Sequence, residues 1–388
     1  MKNKTNKILI FGNCLEGHHL EYIHHLYMRA TKEVLSDFIF VIPDEFLKMR
    51  NLLEWPDASN INFDFLDANE TYKCNNNKYL HYLGSQTYSA RLLCKKIKKH
   101  QPDHVFMLSI DMGIPFLDLF LGYSKSPLIS CIIYRIVPYQ WHNLSAIKKI
   151  TEWITYHITL RKKRYKTCFL LNSHKYISVY NKKFRTDKYK YLDDPVTTDI
   201  KKGENLRATL EIPDAARVYV HLGVMGRDKG TLRILEALNL FSEDDARDRY
   251  FIFAGKITDG IRDEFYEKYK SLPPYCHVIL YDKFCEYDLF CSLYKTCDYV
   301  LFPYTPRPNS SGLLGNAALF GKPVITTDGG AMGDLVREYH LGHLMPDNSV
   351  SSIYQAILKP DTSDFSPKKY SESHTIENFC EQIFSSFR

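Results

Sequence analysis

The 388 residues contain no C-x-x-C pair, no H-E-x-x-H and no D-x-D, and the ten cysteines stand singly. Metal sites and disulfide frameworks need clustered ligands, so no metal is expected and the thiols read as reduced core side chains of a cytosolic protein. No window reaches the ~18 apolar residues of a membrane-crossing helix. The opening apolar run, Ile8 to Phe11, falls short of the ~7–15 residues of a secretory leader and reads as a strand. Solenoid repeats and low-complexity segments are absent. So is glutamate from one long stretch, between Glu286 and Glu338.

What is present suits a globular protein: 45% hydrophobic and 25% charged residues, with 28 Tyr and 23 Phe. The length suits two domains of ~150–200 residues. The net charge of +6 is unevenly spread. Between Ser145 and Lys190 stand 13 Lys or Arg against two acids, Glu152 and Asp187, so the remainder is mildly acidic.

Short apolar runs alternate with helical periodicity. "KILIFGN", "DFIFVIP" (37–43), "HVFMLSI" (104–110), "PLISCIIYRIV" (127–137) and "CFLLNS" (168–173) read as buried strands of a first parallel sheet. Periodicity stops at "KYLDDPVTTDIKKGEN" (190–205), where Asp, Pro, Thr and Gly mark a linker. A second series follows at 217–224, 249–255, 277–283, 298–304 and 322–328. The pattern predicts α/β architecture with two doubly wound domains, 1–195 and 196–372. The tail 373–388 is predicted as an amphipathic helix, with Ile376, Phe379, Cys380, Ile383, Phe384 and Phe387 on one face.

Ligands of open α/β sheets sit where strands end and helices begin. In "HLGVMGRDKGTLRILEAL" (221–238), Gly223 and Gly226 loosen such a turn, and Arg227 and Lys229 precede a helix. Two cations at a helix start suit a diphosphate; a turn of solvated charges is the alternative. In "SSGLLGNAALFGKPV", Ser310, Ser311 and Gly312 are placed at a helix N-terminus, an anion site or an ordinary serine cap. Lys256 follows a third strand in "FAGK".

This succession, G-x-x-x-R-x-K-G, "FAG", "YDLFCSLYKTCDYVLFPY", then "SSG-x3-NA-x3-GKPVI", resembles family 4, or group 1, retaining glycosyltransferases of the GT-B fold. The matching features span roughly 217 to 345 and include "GGAMGDLVREYHLGHL" (329–344); the first half resembles the family only in layout. The resemblance implies two Rossmann-like domains facing a cleft, the nucleotide on the second and the acceptor on the first. It also implies a C-terminal helix crossing back to the first domain. Arg227 and Lys229 match the family's diphosphate cations, Ser310 to Gly312 its phosphate and sugar loop, and Asn316 the position of a ribose-binding Glu. Pro308 and Asn316 stand where many members carry paired glutamates. That bears on donor specificity more than on activity, because Asn still bonds ribose hydroxyls and cations and amides stabilise the leaving diphosphate. Absence of D-x-D fits a metal-free transferase without cofactor, its donor a nucleotide-diphosphate sugar.

In the first domain, "EGHHLEYIHH" (16–25) puts Gly17, His18 and Glu21 at the turn after the opening strand. Together with Asp111 and Arg135 they are the candidate acceptor contacts; a metal site and a plain solvated turn are the alternatives. The segment 145–166 carries Ile147, Ile150, Ile154 and Ile158 on one stripe, with Trp153, Tyr156 and a Lys/Arg cluster. It reads either as a contact with an anionic membrane, where lipid-linked acceptors reside, or as a core-packed helix with a basic outer face. No nucleic-acid motif accompanies the charge, so no nucleic-acid partner is expected. The expectation is a cytoplasmic enzyme, working at the membrane's inner face if 145–166 makes that contact, that transfers sugar to a glycan or lipid-linked acceptor in surface polysaccharide or glycoconjugate synthesis. A non-catalytic nucleotide- or glycan-binding subunit and a sugar-nucleotide epimerase are the rivals.

Overall fold

The computed structural model describes residues 6–76, 80–110, 114–122, 127–134, 136, 141–142 and 144–388. The chain divides into two units, Met1–Leu192 with Ile376–Arg388, and Asp193–Thr375.

The first unit is built on seven strands: β1 (Asn6–Phe11), β2 (Ser36–Val41), β3 (Ile61–Phe63), β4 (His104–Met107), β5 (Leu128–Ile133), β6 (Tyr165–Leu171) and β7 (Tyr189–Leu192). They pair in parallel in the order β3-β2-β1-β4-β5-β6-β7. Helices cover both faces of such a sheet, which is why its central strands are continuous apolar runs. Ile8 to Phe11 and Val105 to Met107 are all buried. Two strands escaped the periodicity: β3 is three residues long, and β7 buries only Tyr189 and Leu192 at its ends. The residues 190–192, expected in the linker, are therefore sheet.

The tail helix is Ile376–Ser385 and belongs to the first unit. Phe379 packs on Tyr22 at 4.8 Å between ring centroids, Phe384 on Phe38 at 5.6 Å and Phe387 on Phe106 at 5.8 Å. Each buried aromatic is worth about 1.5–3 kcal/mol relative to exposure, an upper bound against a compact denatured chain. The helix begins three residues later than expected because 373–375 close the second unit. His374 is buried against Tyr370 at 3.6 Å, and its carbonyl accepts the Val196 amide at 2.9 Å. The same bond ties 193–196 into that unit, so the division falls after Leu192 rather than after 195.

The second unit contains β8 (Arg217–Leu222), β9 (Arg249–Ala254), β10 (His277–Tyr281), β11 (Tyr299–Phe302), β12 (Val324–Thr327) and β13 (Gly342–Met345). All pairings are parallel, in the order β10-β9-β8-β11-β12-β13. β8 and β11 are neighbours in the sheet although two strands intervene in sequence. Their connections run to opposite sides, which opens a crevice at their C-terminal ends.

Candidate functional site

At that crevice β8 ends in Gly223, whose φ of +90° a side chain would resist. Beside it, at the end of β9, a Cβ on Gly255 would lie 1.8 Å from the Gly223 carbonyl oxygen, so the two backbones touch. The chain then makes a single 3₁₀ turn, Arg227–Lys229, and enters the helix Thr231–Leu238. His221 fixes this geometry from beneath. Its Nδ1 donates to the Leu301 carbonyl at 2.9 Å, and its Nε2 accepts the Thr231 hydroxyl at 2.9 Å. Complete burial lowers its pKa to about 4, so the ring is neutral and keeps that donor and acceptor assignment.

The turn delivers Lys229 into a narrow pocket lined also by Tyr304, Arg307, Ser310, Ser311 and Thr327. The Lys229 ammonium stands 3.9 Å from the centre of the Tyr304 ring. Burial lowers its pKa to about 8, and no carboxylate among the described residues forms an ion pair with it. Tyr304 is itself buried, and its hydroxyl is hydrogen-bonded with Ser311. Arg307 faces the lysine from the other loop and pairs with Asp228, while the Thr305 amide donates to the Asp228 carbonyl at 3.0 Å. The loops after β8 and β11 are thereby clasped together.

Two helices begin at this pocket, Gly312–Leu319 and Gly330–Tyr339. The second approaches so closely that a Cβ on Gly330 would lie 2.5 Å from both backbone N and O of Arg307. The Ala331 amide donates to the Arg307 carbonyl at 2.8 Å. Helix starts carry unpaired amides and a partial positive charge. With Lys229 and Arg307 they make the pocket cationic on several sides. The buried Thr327 hydroxyl, in the pocket lining, has no hydrogen-bond partner among the described residues.

Lys229, Ser310 and Ser311 are thus brought together as expected from their positions, and Gly312 opens the adjoining helix. Arg227 is not. In a 3₁₀ turn residues two apart point about 240° apart around the axis, and the Arg227 side chain is 66% exposed on Glu264 at 2.6 Å. Lys256 is exposed just past β9, does not line the pocket, and contributes its carbonyl to the Met225 amide at 2.9 Å. Asn316 does not line the pocket either. Its amide nitrogen donates to the Gly312 carbonyl one turn back at 3.0 Å, and its oxygen accepts the Thr198 hydroxyl. Gly223 and Gly226 shape the turn, a Cβ at Gly226 meeting Asp228 at 2.9 Å. The side chains that sequence reasoning missed are Tyr304, Arg307 and Thr327. Each lies at or just past a strand end, which is the signal that would have found them.

In the first unit, Gly17 holds a φ of +62° in the turn after β1. His18 Nδ1 lies 3.5 Å from Glu21 Oε2, and this contact leads the causes lowering the Glu21 pKa. Both side chains are about half exposed. Next to them His19 packs on Tyr134 at 5.4 Å, with its pKa lowered to about 4 by burial and its Nδ1 lacking a partner. Asp111 and Arg135 lie outside the described residues. No cluster of three or more His, Cys, Asp or Glu occurs among the described residues.

Residues 216–360 match the family of glycosyl transferases group 1. No curated protein matches the sequence. Solved structures share the two-unit GT-B fold at low identity. Sucrose-phosphate synthase from Thermosynechococcus elongatus is 11% identical over 99% of this chain and 98% of its own, with a TM-score of 0.69. A glycosyltransferase from Rickettsia africae is 13% identical over 99% and 98%, at 0.67. HepE from Anabaena, solved in complex with UDP and glucose, is 14% identical over 98% and 99%, at 0.64.

Proposed function

We propose, from a second unit that carries the group 1 glycosyl transferase domain, that this protein moves a sugar from a nucleotide-diphosphate donor to a glycan or lipid-linked acceptor. The observation that carries this reading is the pocket at the β8/β11 crevice, where Lys229, Arg307 and two helix starts surround a space without a carboxylate lining it. A nucleotide-diphosphate brings about two negative charges into such a space, and cleavage of the sugar–phosphate bond concentrates more on the leaving oxygens. Preorganised cations and amides stabilise that growing charge most where water is excluded. Lys229 meets the condition in part, because it is partly withdrawn from water and no acid among the described residues pairs with it. Arg307 takes the role that spacing assigned to Arg227. The Ser310 and Ser311 hydroxyls and the unpartnered Thr327 hydroxyl offer bonds to phosphate or sugar oxygens.

Retention at the anomeric carbon follows the family that the motifs resemble, and turnover is expected in the presence of a chelator. A cytoplasmic setting, where sugar nucleotides feed surface polysaccharide or glycoconjugate synthesis, accords with ten free thiols. A second reading, donor binding without turnover, is favoured by one observation: Asn316 is committed to Gly312 and Thr198. The test is a panel of UDP-, GDP- and ADP-sugars, begun with UDP-glucose because HepE was solved with UDP and glucose. A bound donor at ~100 times its Kd stabilises the fold by about 2.7 kcal/mol, a rise of several degrees in melting temperature. No shift with any nucleotide would sink both readings. A shift without release of nucleotide diphosphate, tried with acceptor glycans, selects the second.

A further inference from the structure

The helix Ala146–Ile154 and the π-helical turn Thr155–Thr159 that continues it are packed inside out. Three threonines, Thr151, Thr155 and Thr159, are turned to the core and buried, with Tyr156 beside them. The apolar stripe faces water, with Ile150 60% exposed, Trp153 51%, and Ile147 and Ile158 46% each. Burying the threonines is tolerable because their hydroxyls turn back onto their own helix. Thr151 donates to the Lys148 carbonyl at 3.0 Å and Thr155 to the Thr151 carbonyl at 2.8 Å. Among the described residues nothing covers the exposed isoleucines. A contiguous exposed apolar face of this kind marks a surface that something else covers.

The surroundings identify what covers it. Lys148, Arg161, Lys163, Lys182, Lys183 and Arg185 are all exposed on the same helix, its continuation and the neighbouring helix Lys175–Phe184. Between the two helices opens a cavity of about 430 Å³ walled by Trp141, Trp153, Tyr156 and Phe184, with Lys183 among its lining residues. Apolar side chains with tryptophans at their border and lysines around them match the layered chemistry of a bilayer surface, in which hydrocarbon gives way to an anionic headgroup plane. A basic rim is poorly suited to a second copy of itself, since the stretch 145–190 carries 13 cations against two acids.

We infer that this face is a membrane-docking surface, on which Ile147, Ile150, Trp153 and Ile158 enter the interface of a bilayer rich in anionic phospholipid. Docking of this sort is reversible and lies in the plane of the membrane. No helix among the described residues is long and apolar enough to cross one. The inference stands apart from the transferase reading, since it needs no sugar donor.

The test is co-sedimentation of the full chain with vesicles of phosphatidylglycerol and phosphatidylcholine, against vesicles of phosphatidylcholine alone. Binding is expected to the mixed vesicles only, to weaken with added salt, and to shift tryptophan emission to the blue as Trp141 and Trp153 leave water. Ile150→Glu, at a position already exposed and so without consequence for folding, is expected to cut the bound fraction at least ~10-fold, because it removes an inserted apolar group and adds a charge that anionic lipid repels. Failure to bind mixed vesicles, or full binding by I150E, overturns the inference. So does a lipid-free chain that sediments as a dimer and that I150E converts to monomer, which would mean that a second copy covers the face.

Discussion

The turns after β1 and after β8 occupy equivalent places, each at the end of the first strand of its sheet and each leading into a helix. Their chemistry is opposite. The turn after β8 presents a lysine with no acidic partner among the described residues, held in register by a neutral buried histidine and partly withdrawn from water. The turn after β1 presents a histidine already satisfied by a glutamate, both half exposed, beside a second histidine kept neutral by burial. One site carries a positive charge at neutral pH and suits an anion. The other offers hydrogen-bonding groups with a carboxylate among them, which suits neutral hydroxyls better than an anion. A shared topology fixes where a ligand can sit, and the side chains delivered there decide what it can be.

The largest expected effect separates the two turns directly. Lys229→Ala should lower transfer ~10²–10³-fold, as loss of a preorganised charge partner does, with little change in melting temperature. His18→Ala should leave donor affinity within about twofold, since a half-exposed pair contributes little. Comparable losses of donor binding in the two variants, read by nucleotide titration, would dissolve the contrast. A smaller effect is expected at Arg307, where alanine should weaken UDP affinity by ~10–100-fold through loss of a charge-assisted bond. Arg227→Ala in the same calorimetric titration should move affinity far less, and the reverse ranking would restore the role that spacing suggested. The smallest effect concerns pH. Lys229 is charged below its pKa of about 8 and loses its proton above it. Affinity for UDP should therefore be flat up to about pH 7 and fall roughly 10-fold by about pH 9, as the charged fraction of the free protein drops. In K229A that fall should vanish, and a profile unchanged by the substitution would place the titrating group elsewhere.

The alternation of apolar runs and helices made both parallel sheets visible before any coordinates. Lys229 and the serine loop were legible because each lies next to a strand end in sequence. Arg307 and Tyr304 were not singled out, because their meaning depends on β11 lying beside β8 and that adjacency skips two strands. Arg227 stands outside the pocket for a more local reason: two cations two residues apart look equivalent in a string, and a 3₁₀ turn points them apart. The stripe of isoleucines at 147–158 was read correctly as a stripe, but periodicity gives no direction. The threonines between them look like poor core residues until their hydroxyls are seen to bond their own helix.

The return of Ile376–Ser385 to the first unit has a consequence for how the protein is made. The second unit is one uninterrupted stretch, Asp193–Thr375, so it can complete its fold as soon as it has left the ribosome. The first unit emerges earlier yet must wait, because Phe379, Phe384 and Phe387 are among its core aromatics and follow the whole of the second unit in sequence. Domains ordinarily fold from the N-terminus onward during synthesis; here the older half is finished last. A nascent chain stalled before Phe379 would carry a sheet with an open apolar seam, the species a chaperone would be expected to hold.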